Sequence, residues 1–147
     1  MNREKIIEAI SEELQKSLKS LQDRVNTVDD AADLDEEAVR DYDDFSQQDQ
    51  YSDTRHLLTR QLHAAENDLA NVKKYAENSY DSVAPGAIVI TDERIFMADV
   101  SFPPFEIDGK QIASFSTEAP VYQENEGKQK GDTFVMGDQE IKIENIL

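Results

Sequence analysis

The chain has 147 residues, 32 acidic and 15 basic, and a formal net charge of -17. Such a charge repels nucleic-acid phosphate, so binding to free DNA is not expected and the partner should be a protein or another cationic species. With no cysteine there is neither a disulfide framework nor a thiol ligand or nucleophile; Met1 to Ile10 lacks the apolar core of a signal peptide, and no run approaches a membrane span, so a soluble cytoplasmic protein with no membrane contact is expected.

From the N-terminus, Ile7, Ile10, Leu14, Leu18, Leu21, Val25 and Val28 recur at steps of three and four, which predicts one apolar stripe on an amphipathic helix with coiled-coil spacing. The register extends through Ala31, Ala38, Tyr42 and Phe45, although Asp35 falls on the seam and Asp29, Asp30 and Asp33 weaken helix propensity. An alternative to full pairing is that Met1 to Ser17 extend beyond the hairpin and pack on the β domain that follows. A second stripe runs through Tyr51, Leu58, Leu62, Ala65, Leu69, Val72 and Ala76. Two such helices bury their stripes against each other as an antiparallel pair. A turn centred near Gln47 sets Val28 opposite Ala65, and roughly 25 paired residues would extend about 40 Å. A dimer of the stripe is the alternative pairing.

Val83-Ala84-Pro85-Gly86 closes the helical part, and strand-like residues begin. Ala87 to Thr91 and Arg94 to Val100 read as strands around Asp92-Glu93. Phe105 to Ile107 and Lys110 to Phe115 flank Asp108-Gly109, and Thr133 to Met136 and Gln139 to Ile146 flank Gly137-Asp138, both two-residue hairpin signals. A short helix is expected near Ser116 to Tyr122. The fold class is therefore α+β: residues 1–82 form a helical hairpin with an acidic tip near residues 41–50, and residues 83–147 form a small antiparallel β domain.

The tip reads Asp41-Tyr42-Asp43-Asp44-Phe45-Ser46-Gln47-Gln48-Asp49-Gln50-Tyr51. Carboxylates gathered at an exposed turn can hold a hard cation such as Mg²⁺, which takes its remaining ligands from water or a partner; an acidic turn that is merely solvated is the plainer alternative. His56 and His63 lie two helical turns apart and are expected on the surface without a shared metal. Phe96, Phe102, Phe105, Phe115 and Phe134 are expected in the core of the β domain and not on a base-stacking platform.

Asp44-Phe45-Ser46-Gln47-Gln48-Asp49-Gln50-Tyr51 resembles the tip motif of the Gre-type transcription elongation factors, which reads Asp-Leu-Ser-Glu-Asn, two variable residues, then Tyr. The C-terminal part is similar too, in Gly86-Ala87 with Val89, Ser116 with Ala119-Pro120-Val121, Gly127-Lys128, Gly131-Asp132, and Ile143 with Ile146. The resemblance implies an FKBP-like β domain that binds at the mouth of the secondary channel of bacterial RNA polymerase, and a coiled-coil hairpin that enters the channel. In that family an Asp and a Glu at the tip help hold the second Mg²⁺, so that the polymerase itself cleaves backtracked RNA. Asp44 matches the family's Asp, whereas Gln47 stands where the family has Glu and can offer a metal only a neutral oxygen.

The resemblance thus implies candidate tip acids Asp43, Asp44, Asp49 and Asp41, with Asp44 and Asp43 touching a Mg²⁺ shared with the polymerase and no tightly bound cofactor. It also implies a partner contact over Ser116, Ala119, Pro120, Val121 and Tyr122, and indirect contact with nascent RNA. No catalytic activity of the chain itself is expected, prolyl isomerisation included, because fold does not carry function. The other reading is a structural or chaperone-like coiled-coil adaptor whose acidic tip grips a basic protein client.

Overall fold

The computed structural model describes the backbone of residues 2–38 and 43–147 and the side chains of residues 2–31 and 50–147. Two helices, α1 (Arg3–Ala38) and α2 (Asp43–Tyr75), precede strands β1 (Ile88–Thr91), β2 (Arg94–Ala98), β3 (Phe105–Ile107) and β4 (Lys110–Phe115). A short helix, α3 (Pro120–Asn125), leads to β5 (Thr133–Met136) and β6 (Gln139–Ile146). The architecture is α+β, with a single six-stranded sheet ordered β3-β4-β2-β1-β6-β5. The chain divides into two compact units, residues Met1–Leu14 with Asp68–Leu147, and residues Gln15–Asn67.

The first unit contains the sheet and the ends of both long helices. Strands β1 and β2 alternate between two apolar sets. Ile88, Ile90, Ile95 and Met97 share one cluster with Ile112 and with Ile6, Ile7, Ile10 and Leu14 of α1 and Val72 of α2. Their neighbours Val89, Phe96 and Ala98 share the other with Phe115, Tyr122, Phe134, Ile143 and Ile146. Because successive strand side chains point to opposite faces, both central strands are apolar on each side, and β1 is buried along its whole length. The start of α1 thus packs into the sheet's core. Phe96, Phe102, Phe115 and Phe134 are buried as expected, with Phe96 and Phe134 stacked at 5.2 Å between ring centroids.

The sheet is mixed and not antiparallel throughout. β2 and β4 run parallel, Arg94 beside Gln111 and Ala98 beside Phe115, while β3 pairs antiparallel with β4. The cause lies between β2 and β3. Asp99 adopts φ 66° and its N–H bonds to Phe115 O at 3.0 Å, which turns the chain out of β2. Pro103 and Pro104 then lack the N–H groups that a strand ladder needs. The chain reverses at a distance, and the Asp108-Gly109 hairpin returns β4 into the space between β2 and β3. Both turn residues have positive φ, 49° and 80°, the pattern of a type I′ turn whose twist matches the flanking strands.

Arg3 ties the first unit together. Its guanidinium donates to Leu147 O at 2.8 Å, Tyr75 O at 2.6 Å and Gly86 O at 2.9 Å, and lies 4.9 Å from the centroid of the Tyr80 ring. Tyr75 ends α2, so a cation sits where helix carbonyls are unpaired and the dipole is negative. Gly86 must be glycine: at φ 88°, a Cβ would lie 2.5 Å from the Tyr75 ring.

In the second unit Val25 and Leu58 are buried, and Arg55 Nε pairs with Asp29 Oδ1 at 2.8 Å. The turn centred near Gln47 is not observed: α2 begins at Asp43 and already includes Gln47. Arg55, and not a residue near Ala65, therefore lies by this stretch of α1. Aspartates such as Asp43 and Asp44 suit the first turn of a helix, where the dipole is positive, and no Gly or Pro delays the start.

Candidate functional site

The expected tip residues are distributed along the start of α2. Asp41 lies outside the described residues. Asp43, Asp44, Gln47 and Asp49 fall in the helical backbone of α2, and their side chains lie outside the description. His56 and His63 are exposed, His63 Nδ1 standing 3.3 Å from Glu66 Oε2. Among the described residues no group of three or more metal-binding side chains is gathered, and no helix is long and apolar enough to cross a membrane.

The expected contact segment bridges β4 and α3. Ser116 Oγ accepts from Glu118 N–H at 3.1 Å and Ser116 O from Ala119 N–H at 3.1 Å, forming a tight polar turn. Ala119 has extended φ and ψ and leads into α3, with proline in its first turn. There the fixed φ of proline suits the helix and its missing N–H costs nothing. Ser116 and Pro120 are exposed, Ala119 and Val121 half-buried. Tyr122 faces the other way: it is buried, its ring 6.0 Å from that of Phe115. Its hydroxyl has no hydrogen-bond partner among the described residues. Burial first, and the Glu126 carboxylate second, push its pKa up.

Next to Ser116 the first unit opens into a pocket of about 280 Å³. Asp68 and Asn71 of α2 form one wall, Asp99 to Ser101 a second, and Ser114 to Ser116 at the end of β4 a third. Val100 and Phe115 also line it, both buried, Val100 within the cluster beside α1 and α2 and Phe115 within the cluster on the other face of the sheet. Each carboxylate is held by the protein. Asp68 Oδ1 accepts the Ser101 N–H at 3.1 Å, and Asp99 Oδ2 accepts the Tyr75 hydroxyl at 2.6 Å. Partial burial raises the Asp68 pKa, the Ser101 N–H opposes that shift, and the Asp99 charge adds to it. The hydrogen bond to Asp99, before burial, pushes Tyr75 up to about 12.

Asp68 and Asp99 were not singled out from sequence, although Ser116 was. Asp68 is one acid among many on a polar helix, and nothing local marks Asp99 as a left-handed residue. The pocket offers two fixed carboxylates and several hydroxyls, a setting suited to cations more than to anions. No protein-family model and no curated protein matches the chain.

Proposed function

We propose that the chain is a Gre-type factor of bacterial RNA polymerase, in which an FKBP-like β domain docks at the mouth of the secondary channel and an antiparallel coiled-coil hairpin enters it. The observation that carries this reading is the position of the motif Asp44 to Tyr51: it opens the second of two long helices that precede the sheet. The order of elements, two long helices and then the sheet, supports it. In this reading the protein acts in the cytoplasm, touches nascent RNA only through the polymerase, and modulates elongation.

Its contribution to chemistry is to place charge. Asp44, with Asp43, and with Asp41 or Asp49 nearby, would hold a Mg²⁺ jointly with the polymerase. Such a metal offsets charge developing on phosphate and lowers the pKa of the attacking water. Gln47 supplies no charge, so cleavage of backtracked RNA should be weak and channel occupancy the larger effect. In stalled elongation complexes, Mg²⁺-dependent RNA shortening should disappear with Asp44→Asn and rise about tenfold with Gln47→Glu, about 1.4 kcal/mol of barrier. If both variants behave as wild type, the tip takes no part in cleavage. The full chain should co-migrate with purified core RNA polymerase; a chain that grips basic proteins indiscriminately would instead be the adaptor.

A further inference from the structure

Tyr75 closes α2, and three separate parts of the first unit hold it. Its carbonyl accepts from the Arg3 guanidinium at 2.6 Å, its hydroxyl donates to Asp99 Oδ2 at 2.6 Å, and its ring lies where a Cβ on Gly86 would come within 2.5 Å. Gly86 and Asp99 stand at the open end of the β1–β2 hairpin, one ahead of β1 and one directly after β2, and the Gly86 N–H donates to Ala98 O at 3.1 Å. Both take positive φ, 88° and 66°. The end of the hairpin is thereby a socket shaped around one side chain of α2. Asp68, two turns earlier on the helix, makes a further tie to the Ser101 N–H at 3.1 Å. A helix can pivot about one such tie, but not about two.

Adhesion of α2 to the sheet does not need this socket. Val72 is fully buried in one cluster with Ile6, Ile10, Ile88 and Met97, and burial of that kind is strong but has no preferred direction. The socket is instead made of directional bonds and costly parts. Asp99 is a non-glycine residue in the left-handed region. Arg3 is a half-buried cation whose pKa burial lowers, and its Nε is buried without a partner among the described residues. Such costs persist where the surrounding structure enforces a particular geometry. We propose that Tyr75 is the positioning residue of α2: seated in this socket, it fixes the angle at which the last turns of the helix lie against the sheet. Since α2 is one helix from Asp43 to Tyr75, an angle set at its end bears on where its acidic first turn can reach. That use of the angle rests on the polymerase reading, whereas the socket does not.

The test uses the full chain. It has no cysteine, so nitroxides can be placed at Ala64→Cys and Glu93→Cys, exposed positions on α2 and in the β1–β2 turn, and their separation read by pulsed electron resonance. The chain with Tyr75 intact should give one narrow distance distribution. Tyr75→Phe, which loses the bond to Asp99, should widen it, and Tyr75→Ala, which empties the socket, should widen it about twofold as further angles become populated. Asn125→Ala removes buried bonds elsewhere in the same unit and should leave the width unchanged. Widening in either Tyr75 variant that Asn125→Ala does not share upholds the assignment. A wild-type width in both overturns it, as does equal widening in Asn125→Ala, which would report lost stability alone; if circular dichroism shows Tyr75→Ala unfolded, Tyr75→Phe decides. A chain at the required angle for about one fifth of the time binds about fivefold more weakly, and Tyr75→Ala should lose that much affinity for core RNA polymerase. If wild type does not bind polymerase, that reading fails and the distances alone decide the socket. If polymerase binds wild type and variant alike although the distances widen, the socket stands and its use in aiming the helix is overturned.

Discussion

Arg3, Tyr75 and Asp68 are single residues whose surroundings set measurable energies. Truncation of Arg3 leaves the carbonyls of Leu147, Tyr75 and Gly86 without their charged donor. Arg3→Ala should therefore cost about 2–4 kcal/mol in urea unfolding, and Arg3→Lys should recover only part, since one ammonium cannot replace the fork. The Tyr75 pKa is raised to about 12 from 10.0, so the folded chain favours the protonated phenol. Stability from its bond to Asp99 is complete below about pH 10 and is lost as pH rises through about 12. Tyr75→Phe should be less stable than wild type at pH 9, with the gap closing by pH 12. The raised pKa of Asp68 means that stability from its protonated form is present below its unfolded value of 3.8 and is lost as pH rises through the folded pKa. Asp68→Asn should accordingly unfold at higher urea than wild type at pH 7, a gain that disappears below about pH 4.

At the level of elements, hairpins were the most legible part of the sequence. β3 and β4, and β5 and β6, occupy the residues that alternation and the Asp108-Gly109 and Gly137-Asp138 turns assign to them, because a two-residue turn fixes register locally. The parallel pairing of β2 with β4 was not legible. Alternation reports which residues face a core, but not which strand lies beside which, and the deciding features were the positive φ of Asp99 and a diproline connection. The beginning of α2 was also misplaced, since a polar acidic stretch without Gly or Pro marks no boundary. Of the candidate site, Ser116 was readable as part of a motif, whereas Asp68 and Asp99 are brought together only by tertiary folding. The edge strand β5 owes its place partly to Asn125, which is fully buried. Its amide donates to Val135 O at 2.7 Å and to Val121 O at 2.6 Å, and its oxygen accepts from Val135 N–H at 2.8 Å. Asn125→Ala leaves those groups unsatisfied and should cost about 2–3 kcal/mol, with amide exchange accelerated first in β5.

On the scale of the whole molecule, charge and organisation decide what the chain can approach. A net charge of -17 repels phosphate and attracts basic surfaces, so affinity for the proposed partner should fall as salt rises. Of two helices of 36 and 33 residues, the second opens on the acidic motif, and the mixed sheet carries a polar pocket beside the expected contact segment. The most direct measurement is binding of the intact chain to purified core RNA polymerase, followed by co-migration at low and at physiological salt. The account predicts a stable complex that weakens with salt and is selective over other basic proteins. Failure to bind polymerase at low salt, or equal binding to any basic protein, would contradict it.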